Sequence, residues 1–113
     1  MERDRAYLLD ILESARLAVT YLNGVSKEHF LASTQLQDSV IRRIEIMGEA
    51  ARRVSPATRE SLTGIPWAEM IGMRNLMIHD YDDLDLEIVW DTVQHDLPGL
   101  IKKLGPHVPL EKS

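Results

Sequence analysis

The chain of 113 residues carries 13 Lys and Arg against 18 Asp and Glu, a formal charge of −5, and no cysteine. That length fits one domain able to bury about two thirds of its unfolded surface, and the cysteine count excludes disulfides, thiolate nucleophiles and thiolate zinc sites. The acidic balance argues against non-specific nucleic-acid binding, and DNA is not an expected partner. Met1-Glu2-Arg3-Asp4-Arg5 has no signal-peptide layout, and no apolar run approaches the ~18 residues of a membrane span, so a cytoplasmic chain without membrane contact is expected.

Leu8, Ile11, Leu12, Ala15, Ala18, Val19 and Leu22 recur at three- and four-residue steps and predict an amphipathic helix from about Arg3 to Leu22, closed by Asn23-Gly24. Ser26 opens a short extra segment to about Leu31. Ser33 or Thr34 then caps a long helix to about Val54, whose core stripe is Leu36, Val40, Ile44, Met47, Ala51 and Val54. Gly48, Ala50 and Ala51 keep its second half slim, so another backbone has room to approach there. Ser55-Pro56 breaks it.

A loop with one helical turn is expected over residues 57–65, with Pro66 at the first position of a helix running to residue 78. The last helix begins after Asp83 or Asp85, and its apolar seam is Leu86, Trp90, Val93, Leu97, Leu100 and Leu104, with a slight bend at Pro98. Gly105-Pro106 stops it. The sequence therefore predicts an all-α, up-and-down four-helix bundle over residues 1–105 and a flexible tail over 106–113, with neither internal repeat nor low-complexity segment.

Within the fourth region, Arg74-Asn75-Leu76-Met77-Ile78-His79-Asp80-Tyr81 joins an anion binder, a proton-transfer group and a phenol in eight residues. On a helix over 66–78, Trp67, Met70, Ile71, Met77 and Ile78 share a face, and Arg74 falls in its middle. A guanidinium left buried there without a partner would cost on the order of 3–5 kcal/mol, so it requires an anion: Glu45 or Glu49 from the chain itself, or a phosphate from outside. Charge is uneven around it. Residues 42–74 hold six Arg against four Glu, and residues 75–101 hold seven acids with no Lys or Arg. Two solvated surfaces and a basic strip for an RNA backbone weigh about equally as readings of that pattern.

The Arg-x4-His-x-Tyr pattern, with Glu45-Ile46-Met47-Gly48-Glu49-Ala50-Ala51-Arg52 before it, Ile65-Pro66-Trp67 leading into Gly72-Met73-Arg74-Asn75, and Leu86-Glu87-Ile88-Val89-Trp90 after it, resembles the HEPN superfamily, specifically the HepT-type toxins of two-gene toxin–antitoxin systems. The resemblance runs from the first helix to about Leu104. It implies a HEPN-like bundle, a homodimer, a ribonuclease activity and a small nucleotidyltransferase antitoxin as partner.

The chemistry agrees with that implication. RNA carries its own nucleophile, the 2′-hydroxyl, so an enzyme needs a group that moves protons and a cation for the charge growing on phosphorus. His79, with an ordinary pKa of about 6.5, suits the first role, and the planar fork of Arg74 suits the second. Neither role requires a metal, and no cofactor is expected. Arg74 and His79 are thus the candidate catalytic pair for metal-independent cleavage to a cyclic phosphate and a free 5′-hydroxyl.

Five residues along a regular helix set these two about 140° apart, so either the helix ends near Ile78 or two chains pool their motifs. The resemblance implies the second, a composite cleft at a dimer interface. Asn75, one turn before His79, is placed to orient its ring or to bind a phosphate oxygen, and Glu49 to hold Arg74. The resemblance further implies that Tyr81 is the acceptor to which the antitoxin attaches AMP, a bulky anion that would close the cleft to RNA. Without it, Arg74 reads as an internal ion pair, His79 as a helix-terminal histidine, Tyr81 as an interface aromatic, and the acidic run over 80–87 as helix capping rather than a metal site. The alternative function is a non-catalytic HEPN module serving a nucleotidyltransferase as its binding or regulatory subunit. The sequence does not distinguish transfer RNA from message as substrate.

Overall fold

A computed structural model of the chain describes residues 2–79 and 84–108, and describes the backbone alone for Glu2, Ile78 and His79. Among the described residues every regular element is helical, as an all-α HEPN fold requires.

The first helix, α1 (Glu2–Tyr21), ends where Gly24 takes φ 77°, the left-handed geometry that closes helices cheaply only at glycine. Helix α2 (Lys27–Ala32) is capped by Ser26 Oγ, which accepts from the His29 N–H at 3.0 Å. Ser33 repeats the device for α3 (Thr34–Arg53), accepting from the Leu36 N–H at 3.2 Å. Ser55 and Pro56 end α3 and at once start α4 (Pro56–Ser61), so the expected single turn is a six-residue helix. Pro66 lies just outside α5 (Trp67–His79), not at its first position: its carbonyl accepts the first helical bond, from the Met70 N–H. Asp85 caps α6 (Leu86–Asp91) by accepting from the Glu87 N–H at 2.9 Å.

The last helix does more than bend at Pro98. Thr92–Asp96 widen into a π-helical turn in which the Leu97 N–H reaches back to the Thr92 carbonyl, and α7 (Leu97–Leu104) follows. Proline has no N–H to donate and its ring clashes with the carbonyl four residues before it, and the wider turn just ahead of Pro98 accommodates both. Gly105–His107 add a 3-10 turn, and Val108 is 8% exposed. The expected tail over 106–113 thus has its first three residues packed as turn and core edge, and residues 109–113 lie outside the described ones.

One apolar core joins these elements. The expected stripes are its main contributors: Leu8, Ile11, Leu12, Ala15 and Ala18 from α1, Val40, Ile44, Met47 and Ala51 from α3, and Leu97, Leu100 and Leu104 from α7 are all buried. Full burial of a Leu, Ile or Phe side chain contributes about 1.5–3 kcal/mol. Phe30, fully buried, packs on Trp90 with ring centroids 5.6 Å apart and so ties α2 to α6. Helix α3 is the centre of the bundle, with α1 packed along one side and α5 along another, while α7 lies on α1. Between α5 and the C-terminal helix the bundle stays open as an apolar groove of about 670 Å³ floored by Ile44 and Met47.

A buried carboxylate fixes one end of this assembly. Asp4 accepts from the Ser55 N–H at 3.1 Å and from the Ser55 and Thr58 hydroxyls at 2.6 Å each, which binds the first turn of α1 to the α3–α4 junction. Those hydroxyl donors, Ser55 first and then Thr58, hold its pKa below the ordinary carboxylate value of 3.8 against the opposing effect of burial.

Candidate active site

The seam between α3 and α5 is set by a residue that has no side chain. A Cβ on Gly48 would overlap the Arg74 Cβ and stand 2.7 Å from the Met70 carbonyl oxygen. Glycine is what lets the two helices approach closely, as the small residues of α3 led one to expect, and the close approach brings Arg74 over α3.

Arg74 is 24% exposed there, and its anion is Glu49: Arg74 Nη2 stands 3.0 Å from Glu49 Oε1. Glu45, the other candidate, pairs at 3.5 Å with Arg42 instead. The contact of Arg74 with Glu49 is an ion pair without a directed hydrogen bond, since Oε1 is buried and accepts none. A long contact of 3.4 Å from Arg74 Nη1 to Asn75 Oδ1 is its other polar interaction among the described residues. Among the described residues, most of its five N–H donors therefore have no protein acceptor.

Glu49 serves two further cations. Its Oε2 accepts from Arg53 Nε at 2.7 Å and from Arg52 Nη2 at 2.9 Å. One carboxylate thus meets three guanidiniums. The hydrogen bonds from Arg53 and then Arg52 hold the Glu49 pKa below the ordinary 4.5, against burial that pushes it up. Arg53 in turn is pushed up by Glu49 and by the Tyr7 phenol, so it stays cationic at every physiological pH. Of the six arginines in the basic stretch, Arg52, Arg53 and Arg74 converge, and Arg59 is turned inward, donating to the Val54 and Arg52 carbonyls at the end of α3.

The α5 backbone is helical from Arg74 through His79, its last described residue, one position past Ile78. Five residues of regular helix turn through about 140°. The His79 side chain and all of Tyr81 lie outside the described residues, as do Asp80, Asp82 and Asp83. Asn75 is exposed and turns toward Arg74. His29, His95 and His107 are on the surface, and Asp85 and Glu87 act as helix cap and as a partner of Lys27 at 3.2 Å. Among the described residues no group of three or more His, Asp or Glu is arranged to hold a metal ion.

Arg52, Arg53 and Tyr7 were not singled out by sequence. The signal for the first two was present, because Glu49, Arg52 and Arg53 stand at three- and four-residue spacing on one helix. Tyr7 comes from α1, and nothing short of the fold brings it to this place.

The chain is similar to known ribonucleases over most of its length. The family model for HepT-like ribonucleases matches residues 11–105. The chain is 36% identical over 100 residues to a candidate RNase of Methanocaldococcus jannaschii, covering 88% of this chain and 92% of that one. It is 37% identical over 94 residues to the probable ribonuclease HepT of Thermococcus cleftensis, covering 83% and 86%. With the mRNA nuclease HepT of Shewanella oneidensis it shares 31% over 106 residues, 73% and 77% of the two chains. No solved structure matches. The chain belongs to the HepT-like ribonuclease family, and its enzymatic class is that of a ribonuclease.

Proposed function

We propose that this protein is the toxin of a two-gene toxin–antitoxin pair, a homodimeric endoribonuclease whose cleft is built from Arg74 and His79 of facing chains. The observation that carries the reading is the state of Arg74: held over Gly48, located by Glu49, yet with few of its donors bonded among the described residues. Three guanidiniums gathered on one carboxylate favour a phosphodiester as the external anion.

The reaction balances without a further reactant. His79 takes the proton of the ribose 2′-hydroxyl, the O2′–P bond forms as the P–O5′ bond breaks, and a proton returns to the departing 5′-oxygen. Arg74 bridges two phosphate oxygens as negative charge accumulates in the pentavalent transition state. The products are a 2′,3′-cyclic phosphate and a 5′-hydroxyl. Message and transfer RNA are both candidate substrates, the relative from Shewanella oneidensis being named an mRNA nuclease.

The composite cleft is supported by helix periodicity, since five residues of a regular helix set two positions about 140° apart. A dimer is supported by apolar surface near the motif: Leu76 is 42% and Ile88 48% exposed, the latter on the rim of the open groove. Control is assigned to a minimal nucleotidyltransferase that adds AMP to Tyr81, two residues from His79, where its phosphate would repel RNA. Mass spectrometry after incubation with that partner and ATP should find AMP on the Tyr81 peptide. Labelling that persists in Tyr81→Phe would remove the assignment.

The deciding experiment is RNA cleavage by the purified protein in EDTA, with Arg74→Ala and His79→Ala for comparison. Activity in the wild type and its loss in both folded variants are expected. Equal activity in all three overturns the site, and complete inactivity with retained binding of a nucleotidyltransferase establishes the non-catalytic module instead.

A further inference from the structure

Beside Arg74 lies a hollow of about 310 Å³ between α1 and α3 that the cleavage reaction does not use. From α1 it is walled by Tyr7 and Asp10, three residues apart and so on one face. From α3 come Arg42, Glu45 and Arg53, and Arg74 closes the side toward the proposed cleft. Its volume is at the lower end of small-molecule sites, about 300 Å³, enough for one nucleotide and too little for a duplex.

The chemistry of the walls is mixed in a particular way. Arg53 is fixed by Glu49 through Nε at 2.7 Å and has the Tyr7 phenol beside it, so a cation and a half-buried aromatic ring stand together. That combination is what single-stranded nucleic-acid sites use: a guanidinium for the backbone and a ring face for the base. Asp10 and Glu45 add two carboxylates, which would oppose a bare phosphate. They suit an edge rich in N–H donors, as a carboxylate accepts from the exocyclic amino group of cytosine.

We propose that this hollow is a nucleotide subsite that selects the RNA residue next to the scissile phosphate, with Tyr7 against the base, Asp10 and Glu45 accepting from its amino group, and Arg53 on the flanking backbone. It takes single-stranded RNA and favours bases with an exocyclic amino group over uracil. The inference rests on the reading that Arg74 holds the scissile phosphate, because Arg74 is the wall the two sites share.

The test is equilibrium binding, by fluorescence anisotropy, of uncleavable 2′-O-methyl RNA oligomers that differ only in cytosine or uracil at one position. Wild type should prefer cytosine at that position. Tyr7→Ala should weaken binding about tenfold, the loss of one stacked base. Asp10→Asn combined with Glu45→Gln should abolish the cytosine preference. Circular dichroism confirms the fold, and if Tyr7→Ala does not fold, the exposed Arg42→Ala replaces it with an expected severalfold loss. Affinity and base preference unchanged in all folded variants would overturn the subsite, even where unmodified RNA is still cleaved in an Arg74-dependent way. Binding that depends on Tyr7 and Asp10 in a protein that cleaves no RNA would instead uphold the subsite and overturn the catalytic role of Arg74.

Discussion

Two carboxylates organise this molecule, and they differ in what their partners have left to give. Asp4 is 6% exposed and accepts one N–H and two hydroxyl groups, each committed to that contact. Glu49 is half-buried and meets three guanidiniums, whose contacts with it use only part of their N–H donors, and its own Oε1 accepts no hydrogen bond. The first arrangement consumes polarity and fixes a fold. The second concentrates cationic donors on a surface beside a hollow, which is useful when an anion is to arrive from outside. Both carboxylates have lowered pKa values, so that property alone does not distinguish a fastening from a site.

The sharpest way to break the comparison is at Arg74. Arg74→Ala and His79→Ala should each lower RNA cleavage at least about a hundredfold in a gel assay, with little change in thermal midpoint. A loss below about tenfold would place Arg74 with Asp4, as structure. Next in size is Gly48→Ala, where the added methyl collides with Arg74 and the Met70 carbonyl. It should destabilise by about 1–3 kcal/mol in urea unfolding, because the α3–α5 seam has no slack for the added methyl.

Asp4→Ala should cost about 1–3 kcal/mol through the donors it orphans, and leave cleavage by the remaining folded protein intact. Its pH dependence has a definite sign. A carboxyl whose folded pKa is lowered contributes stability that is fully present above its ordinary value of 3.8 and is lost as pH falls through the folded value. Acid unfolding of Asp4→Ala should therefore lack the part of the decline below that pH which the wild type shows.

The smallest effect on stability, and the most discriminating, belongs to Glu49→Gln. An ion cluster this exposed should be worth about 1 kcal/mol or less. Removing one negative charge should nevertheless strengthen RNA binding and steepen its salt dependence, while kcat falls as Arg74 loses its locator. Such a split between KM and kcat is not what a merely structural residue produces.

Much of this was legible in the sequence because it depends on local periodicity. The stripes on α1, α3 and α7, the Ser33 and Asp85 caps and the slim half of α3 follow from spacing and residue type, and so did the list of acids available to Arg74. Choosing Glu49 over Glu45 did not, since both lie on α3 and only the packing of α5 at Gly48 decides which meets Arg74. The π turn at Thr92–Asp96 was hidden for a different reason: Pro98 announces a disturbance, and the surrounding core decides whether a bend or a widened turn absorbs it. Tyr7 reached the arginine cluster through tertiary contact alone, from 46 residues before Arg53 in the chain.

If one chain supplies only half of a cleft, mixed dimers should restore what two inactive parents lack. Arg74→Ala and His79→Ala proteins, each inactive alone, are co-refolded and assayed for RNA cleavage in EDTA. A composite cleft predicts recovery to about a quarter of wild-type activity, because half of randomly paired dimers are mixed and each carries one intact Arg74–His79 pair. Mixed dimers that form but stay as inactive as their parents would contradict it.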